Sequence, residues 1–82
     1  MCTTYILYSQ TLDKFYTGYT CDNLNNRLAK HNSNHKGFTG GIGDWKIVYQ
    51  EQFNSQTEAM DRERLIKKKK SRKYIEWLIS TN

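Results

Sequence analysis

Proline is absent from this 82-residue chain, cysteine occurs only twice, and no stretch approaches the roughly 20 apolar residues that a membrane span needs. Low-complexity tracts and tails of repeated composition are missing too, so nothing in the composition points to disorder. The N-terminus lacks the basic-then-apolar layout of a secretion signal, which leaves the cytoplasm as the expected compartment. Cys2 and Cys21 are too few for the disulfide framework of a small secreted domain, and both are expected to be free thiols. With His31 and His35 they make a set of zinc-ligand types whose histidines have finger-like spacing. The cysteines do not share one tight turn, as a structural zinc site requires, so zinc is set aside and His35 is read as an exposed polar residue. Acidic residues are scarce as well: eight Asp and Glu stand against thirteen Lys and Arg, a net charge of +5. On so small a body that charge spreads a positive potential over much of the surface, and a polyanion is the natural partner, nucleic acid being one such, with no membrane.

What is present suffices for one packed domain over residues 1–82, with 37% hydrophobic and 13% aromatic residues. A chain this short buries only about 60% of the surface its unfolded form exposes, so the core must be thin. Residues 3–9 and 14–20 are rich in β-branched and aromatic side chains and read as strands joined by a short hairpin loop, which brings Tyr5 and Tyr16 within reach of each other. Thr20 or Asp22 can cap a helix over about 22–32, where Leu24 and Leu28 recur four apart, as do Arg27 and His31. The stretch from Asn32 to Asp44 holds Gly37, Gly40, Gly41 and Gly43 and reads as a functional or mobile loop, with Lys36 placed to meet phosphates. Trp45 to Phe53 alternates Trp45, Ile47 and Tyr49 with Lys46, Val48 and Gln50, a third strand with one face more deeply buried. Ser55 and Glu58 form a capping box that opens a helix running to about Lys69, and Ser71 can cap a last helix. The fold class is α/β (α+β): a three-stranded antiparallel sheet flanked by helices, in the order β-β-α-β-α-α.

Among the candidate functional residues, Glu63 stands out. It shares a helical stripe with Ala59, Arg62 and Ile66, flanked by Met60 and Leu65, and a carboxylate on an apolar face needs a cation, a metal or hydrogen-bond donors to replace lost water. An ion pair with an arginine is the plain structural alternative. Arg27 and His31 project together from the first helix; an arginine keeps its charge and can grip a phosphate through two parallel hydrogen bonds, while a histidine at a helix end is also favoured by the helix dipole. Lys67, Lys68 and Lys70 with Arg72 and Lys73 make the densest basic block, which suits either a helix C-terminus or contacts to phosphates that carry no sequence information.

Taken in order, Tyr5-Ile-Leu-Tyr-Ser, Phe15-Tyr-Thr-Gly-Tyr-Thr, Arg27-Leu-Ala-Lys-His-Asn, Trp45-Lys-Ile-Val-Tyr and the helix around Glu63 resemble the GIY-YIG nuclease superfamily, in particular its small stand-alone bacterial members. The same elements are similar to the nuclease domain of the bacterial excision-repair incision subunit. The resemblance implies a metal-dependent endonuclease acting on DNA rather than RNA, repair- or structure-selective. Tyr5 would take a proton from the attacking water, Tyr16 would orient water or phosphate, Arg27 would contact the scissile phosphate, and His31 would assist by hydrogen bonding or proton transfer. Glu63 would hold one divalent cation, Mg²⁺ or Mn²⁺. Two departures weigh on the catalytic part: the motifs read Thr3-Thr4-Tyr5 and Tyr16-Thr17-Gly18, and Tyr19 stands where the repair domain has a lysine, leaving that charge to Lys36, to Lys67 or to nothing. A non-catalytic nucleic-acid-binding module that keeps the fold is the alternative, and a subunit recruited by a partner through Trp45, Tyr74 or Trp77 is a third reading.

Overall fold

The computed structural model describes residues 1–33 and 43–81. Strands β1 (Cys2–Ser9) and β2 (Lys14–Thr20) are followed by helix α1 (Leu24–His31), strand β3 (Lys46–Phe53) and helices α2 (Gln56–Lys69) and α3 (Arg72–Ser80). This is the order expected from the sequence. The sheet runs β2-β1-β3 and is antiparallel at both pairings, so β1, the first strand of the chain, becomes the central one. Its burial follows from that position, with both ladders hydrogen-bonded and both faces covered: Ile6 and Leu7, on opposite faces, each show 0% exposure.

Each face carries its own small core. Ile6, Tyr49, Ile66 and Leu78 form one with residues of α2 and α3, and Tyr5, Leu7 and Trp45 form the other with Leu24 and Leu28 of α1. The even alternation read along the third strand does not hold. A bulge shifts the register between Ile6↔Tyr49 and Leu7↔Ile47, and the extra residue sends Trp45 and Ile47 to the α1 face but Tyr49 to the α2 and α3 face. Leu65, expected beside the inward stripe of α2, is 45% exposed.

The helix ends show local chemistry at work. Asn23, not Thr20 or Asp22, caps α1, its side chain accepting from the amides of Asn25 and Asn26. Thr20 and Asp22 instead hold the turn before it, taking the amides of Asp22 and Asn23 respectively. Ser55 and Ser71 cap α2 and α3 as expected, accepting from Glu58 and Tyr74 amides. Lys70 ends α2 in the left-handed region with φ of 48°, breaking the helix sharply before Ser71 starts the next.

Two long-range clasps close the frame. Asp44 accepts from Ser9 Oγ at 2.6 Å and from the amide and hydroxyl of Thr11, each at 2.8 Å, tying the hairpin loop to the entry of β3. The Asn32 amide group pairs with the backbone of Trp45 in both directions, at 2.8 and 3.0 Å, so the two ends of the glycine-rich loop are joined. Within that loop His35, Lys36, Gly37, Gly40 and Gly41 lie outside the described residues. The cysteines correct the sequence reading: Cys2 and Cys21 are joined by a disulfide. The β1–β2 register brings this about, because pairing Thr3 with Thr20 sets the two cysteines opposite each other, with Cα atoms 4.0 Å apart. Both thiols of the zinc-ligand set considered above are thereby taken up. Among the described residues no helix is long and apolar enough to cross a membrane.

Candidate active site

The site begins with a tyrosine that has no room on its own strand. Tyr5 sits on the central strand, 1% exposed, directly across from Gly18 on β2. A Cβ at position 18 would stand 2.8 Å from Tyr5 Oη and 2.9 Å from Cζ, so only glycine lets the phenol lie across β2 and carry its hydroxyl to the free edge of the sheet. Tyr16, two residues from Gly18, shares that face, and its ring would also meet the added carbon, at 3.1 Å.

Helix α1 supplies the next groups. His31, 8% exposed, places Nε2 2.9 Å from Tyr5 Oη and its ring centroid 4.8 Å from that of Tyr16. The helix-end position expected for His31 is real, but the side chain turns inward to the phenol and not toward solvent. Arg27, one turn earlier, lies against the same hydroxyl. Burial pushes the Tyr5 phenol above its ordinary value of 10, and the Arg27 guanidinium beside it offsets only part of that rise.

Helix α2 crosses β2 and brings Glu63 to the same edge. Its side chain is 16% exposed, and Lys67 one turn later stands 3.5 Å from the carboxylate. The arginine pairing weighed for Glu63 goes elsewhere, since Arg62 Nε bonds Glu51 at 3.1 Å, with Tyr49 on the same carboxylate oxygen at 2.7 Å. Tyr5, Tyr16, Gly18, Tyr19, Arg27 and Glu63 thus line one cleft of about 300 Å³, completed by Thr20 and Cys21. Lining side chains from both faces of β2 set the cleft at the strand's open edge.

Of the sequence-predicted site residues, Tyr5, Tyr16, Arg27 and Glu63 line this cleft, and His31 adjoins it through Tyr5. Lys67 was predicted as a phosphate contact of the basic block; its ammonium also lies 5.9 Å from the centre of the Tyr16 ring, beside Glu63, and brings positive charge to a cleft where Tyr19 has none. The spacing of Glu63 and Lys67, four apart on a helix, was the available signal. Lys70 and Arg72 line a neighbouring groove with Lys14, which the sequence reading passed over. Lys68 lines a different hollow with Leu65 and Lys69, while Lys73 is exposed on α3. Lys36 lies outside the described residues.

The donor set suits a hard cation. Among the described residues no three His, Cys, Asp or Glu side chains converge, so an all-protein cage is not built here. A single half-buried carboxylate in an open cleft fits an ion such as Mg²⁺, which is commonly held by one or two carboxylates and otherwise by water and phosphate oxygens.

Residues 1–75 match the GIY-YIG catalytic domain. A UPF0213 protein of Streptococcus pneumoniae serotype 4 is 42% identical over 66 residues, covering 78% of this chain and 65% of that protein. UPF0213 protein SpyM3_1077 of Streptococcus pyogenes serotype M3 is 42% identical over 71 residues, covering 83% of this chain and 75% of its own. The chain therefore spans just under two thirds of the length of the pneumococcal relative. The solution NMR structure of a UPF0213 protein from Bacillus halodurans superposes with a TM-score of 0.62 at 36% identity, covering 100% of this chain and 86% of that one.

Proposed function

The chain belongs to the GIY-YIG catalytic domain family, a nuclease family, and from that membership and the cleft we propose that it is a metal-dependent endonuclease that hydrolyses phosphodiester bonds in DNA. The observation that carries this reading is the meeting of two phenols, a guanidinium and a carboxylate, drawn from β1, β2, α1 and α2, around one cleft.

Arg27 would hold the scissile phosphate and oppose the charge that grows on its oxygens, an interaction that strengthens as the phosphorus becomes five-coordinate. Tyr16 would donate a hydrogen bond to the same phosphate. Tyr5, kept protonated by burial, is poorly suited to act as a free phenolate near neutral pH. Its bond to His31 offers a route instead: Tyr5 Oη accepts a proton from the attacking water while its own proton passes to Nε2 of a neutral His31. Glu63 would hold a divalent cation, Mg²⁺ or Mn²⁺, which when bound supplies Lewis-acid stabilisation of the departing oxygen. Lys67 would then be released from Glu63 toward phosphate. The working compartment in this reading is the cytoplasm, where DNA lies, and the resemblance to the excision-repair domain makes repair or structure-selective cutting the context.

A second reading, nucleic-acid binding without turnover, is favoured by one observation: Glu63 already has a cationic partner in Lys67. A cleavage assay separates the two. With Mg²⁺ or Mn²⁺ the protein should cut a panel of single-stranded, branched and duplex DNA, and Glu63→Gln should lower kcat by roughly a hundredfold or more while the circular dichroism spectrum is unchanged. Equal behaviour of both proteins across the panel would leave only the binding module.

A further inference from the structure

Beside the cleft lies a larger groove, of about 470 Å³, and Tyr16 lines both. Its floor is apolar, made by Phe15, Ile66 and Ile75, and its rim carries Lys14, Lys67 and Lys70. Among the described residues neither Lys14 nor Lys70 has an ion-pair partner. Arg72 is different. Its guanidinium is held by Asp13, at 2.7 Å to the carboxylate and 2.9 Å to the carbonyl, and by Glu76 at 3.4 Å, and it lies over the Phe15 ring at 5.2 Å. That leaves it a planar cation held on an aromatic ring, with three of its five N–H donors engaged by protein. Asp13, the one acid on the groove, is committed as well, accepting from Arg72 and from the Tyr8 hydroxyl at 2.6 Å.

An apolar floor has nothing to offer the phosphates of an intact duplex, whose bases are paired and stacked inside. It suits the face of an unpaired base, and a fixed guanidinium over a phenyl ring is the platform on which single-stranded bases stack. Lysines on the rim would meet the phosphates on either side. Resting on the nuclease reading above, we infer that this groove is a subsite for one unpaired nucleotide next to the scissile phosphate, so that the substrate is single-stranded at the point of cutting.

Binding tests this without relying on turnover. Fluorescence anisotropy of Glu63→Gln protein, without divalent metal, should show a single-stranded DNA oligomer bound at least tenfold more tightly than a duplex of equal length at the same salt. Lys14→Ala with Lys70→Ala should weaken single-strand binding about tenfold and reduce the slope of log affinity against log salt by roughly 0.7 for each lysine removed. Arg72→Lys, which keeps the charge but loses the plane, should erode the preference for single strands while the protein stays folded. Equal affinity for both forms, or wild-type binding by the double lysine variant, overturns the subsite. In active protein the lysine variant should raise KM with kcat unchanged. Failure of the wild type to cut any substrate would remove the nuclease reading, whereas the binding comparison would still decide the groove.

Discussion

Gly18 carries a demand that its own backbone does not make. Its φ is not in the left-handed region, and the restriction comes from Tyr5, whose hydroxyl occupies the space a side chain would fill. Gly18→Ala should therefore push the phenol off His31 Nε2 and out of the cleft, costing about 1–3 kcal/mol in stability as an overpacking change. Its effect on cleavage should exceed what the stability loss explains; kcat measured well below the unfolding transition, beside a urea titration, checks both. A variant that loses stability but keeps full kcat would show that the position of Tyr5 does not matter. Arg62 and Glu63 make a second lesson at this scale. They are neighbours on one helical stripe, yet one joins Glu51 and Tyr49 in a structural cluster while the other faces the cleft. Sequence periodicity could assign both to the inward side of α2 but could not say which of them met a partner from β3.

At the scale of elements, the β1–β2 hairpin is the scaffold of the site, and its open end is fastened by the Cys2–Cys21 disulfide. Cys21 itself lines the cleft, one residue beyond β2. Closing a loop of this size contributes about 2–4 kcal/mol, chiefly by restricting the unfolded chain. Cys2→Ser with Cys21→Ser should lower the urea midpoint accordingly, and dithiothreitol should do the same to the wild type but nothing to the double variant. A wild-type midpoint indifferent to reductant would mean that the cross-link contributes no stability. The free-thiol expectation failed because it was drawn from cell compartment and cysteine count, whereas the bond is a consequence of strand register, which the hairpin sequence leaves open. The bulge in β3 is of the same kind: one extra residue moves Tyr49 across the sheet, and the apolar alternation of residues 45–49 gives no sign of it.

For the molecule as a whole, the titrating groups define a pH window. Asp44 is held below its ordinary 3.8 by hydrogen bonds from Ser9 and Thr11, and Asp13 likewise by Arg72 and Tyr8. Their folded forms favour the charged carboxylate, so that stabilisation is present above about pH 4 and is lost as pH falls through the depressed values. The phenols work in the other direction. Tyr5 and Tyr49 are raised above 10 chiefly by burial and Tyr8 by its bond to Asp13, so their contribution is complete below pH 10 and is lost as pH rises through the folded values. Urea midpoints should form a plateau between these limits, with the acid limb moved by Asp44→Ala and the alkaline limb flattened by Tyr5→Phe. Unchanged limbs in both variants would contradict the assignment.

The order of elements, the capping serines of α2 and α3 and the basic surface could all be read from sequence, because each depends on side-chain chemistry acting within a few residues. The candidate residues Tyr5, Tyr16, Arg27 and Glu63 were legible as a set for a different reason, the resemblance of several ordered segments to a known family. Their convergence at the β2 edge, the disulfide, the bulge and the groove floored by Phe15 arise from contacts between residues far apart in the chain. Register, strand order and the crossing of α2 over β2 set those contacts, and they follow from how the two thin cores close together, which no local stretch of this chain encodes alone.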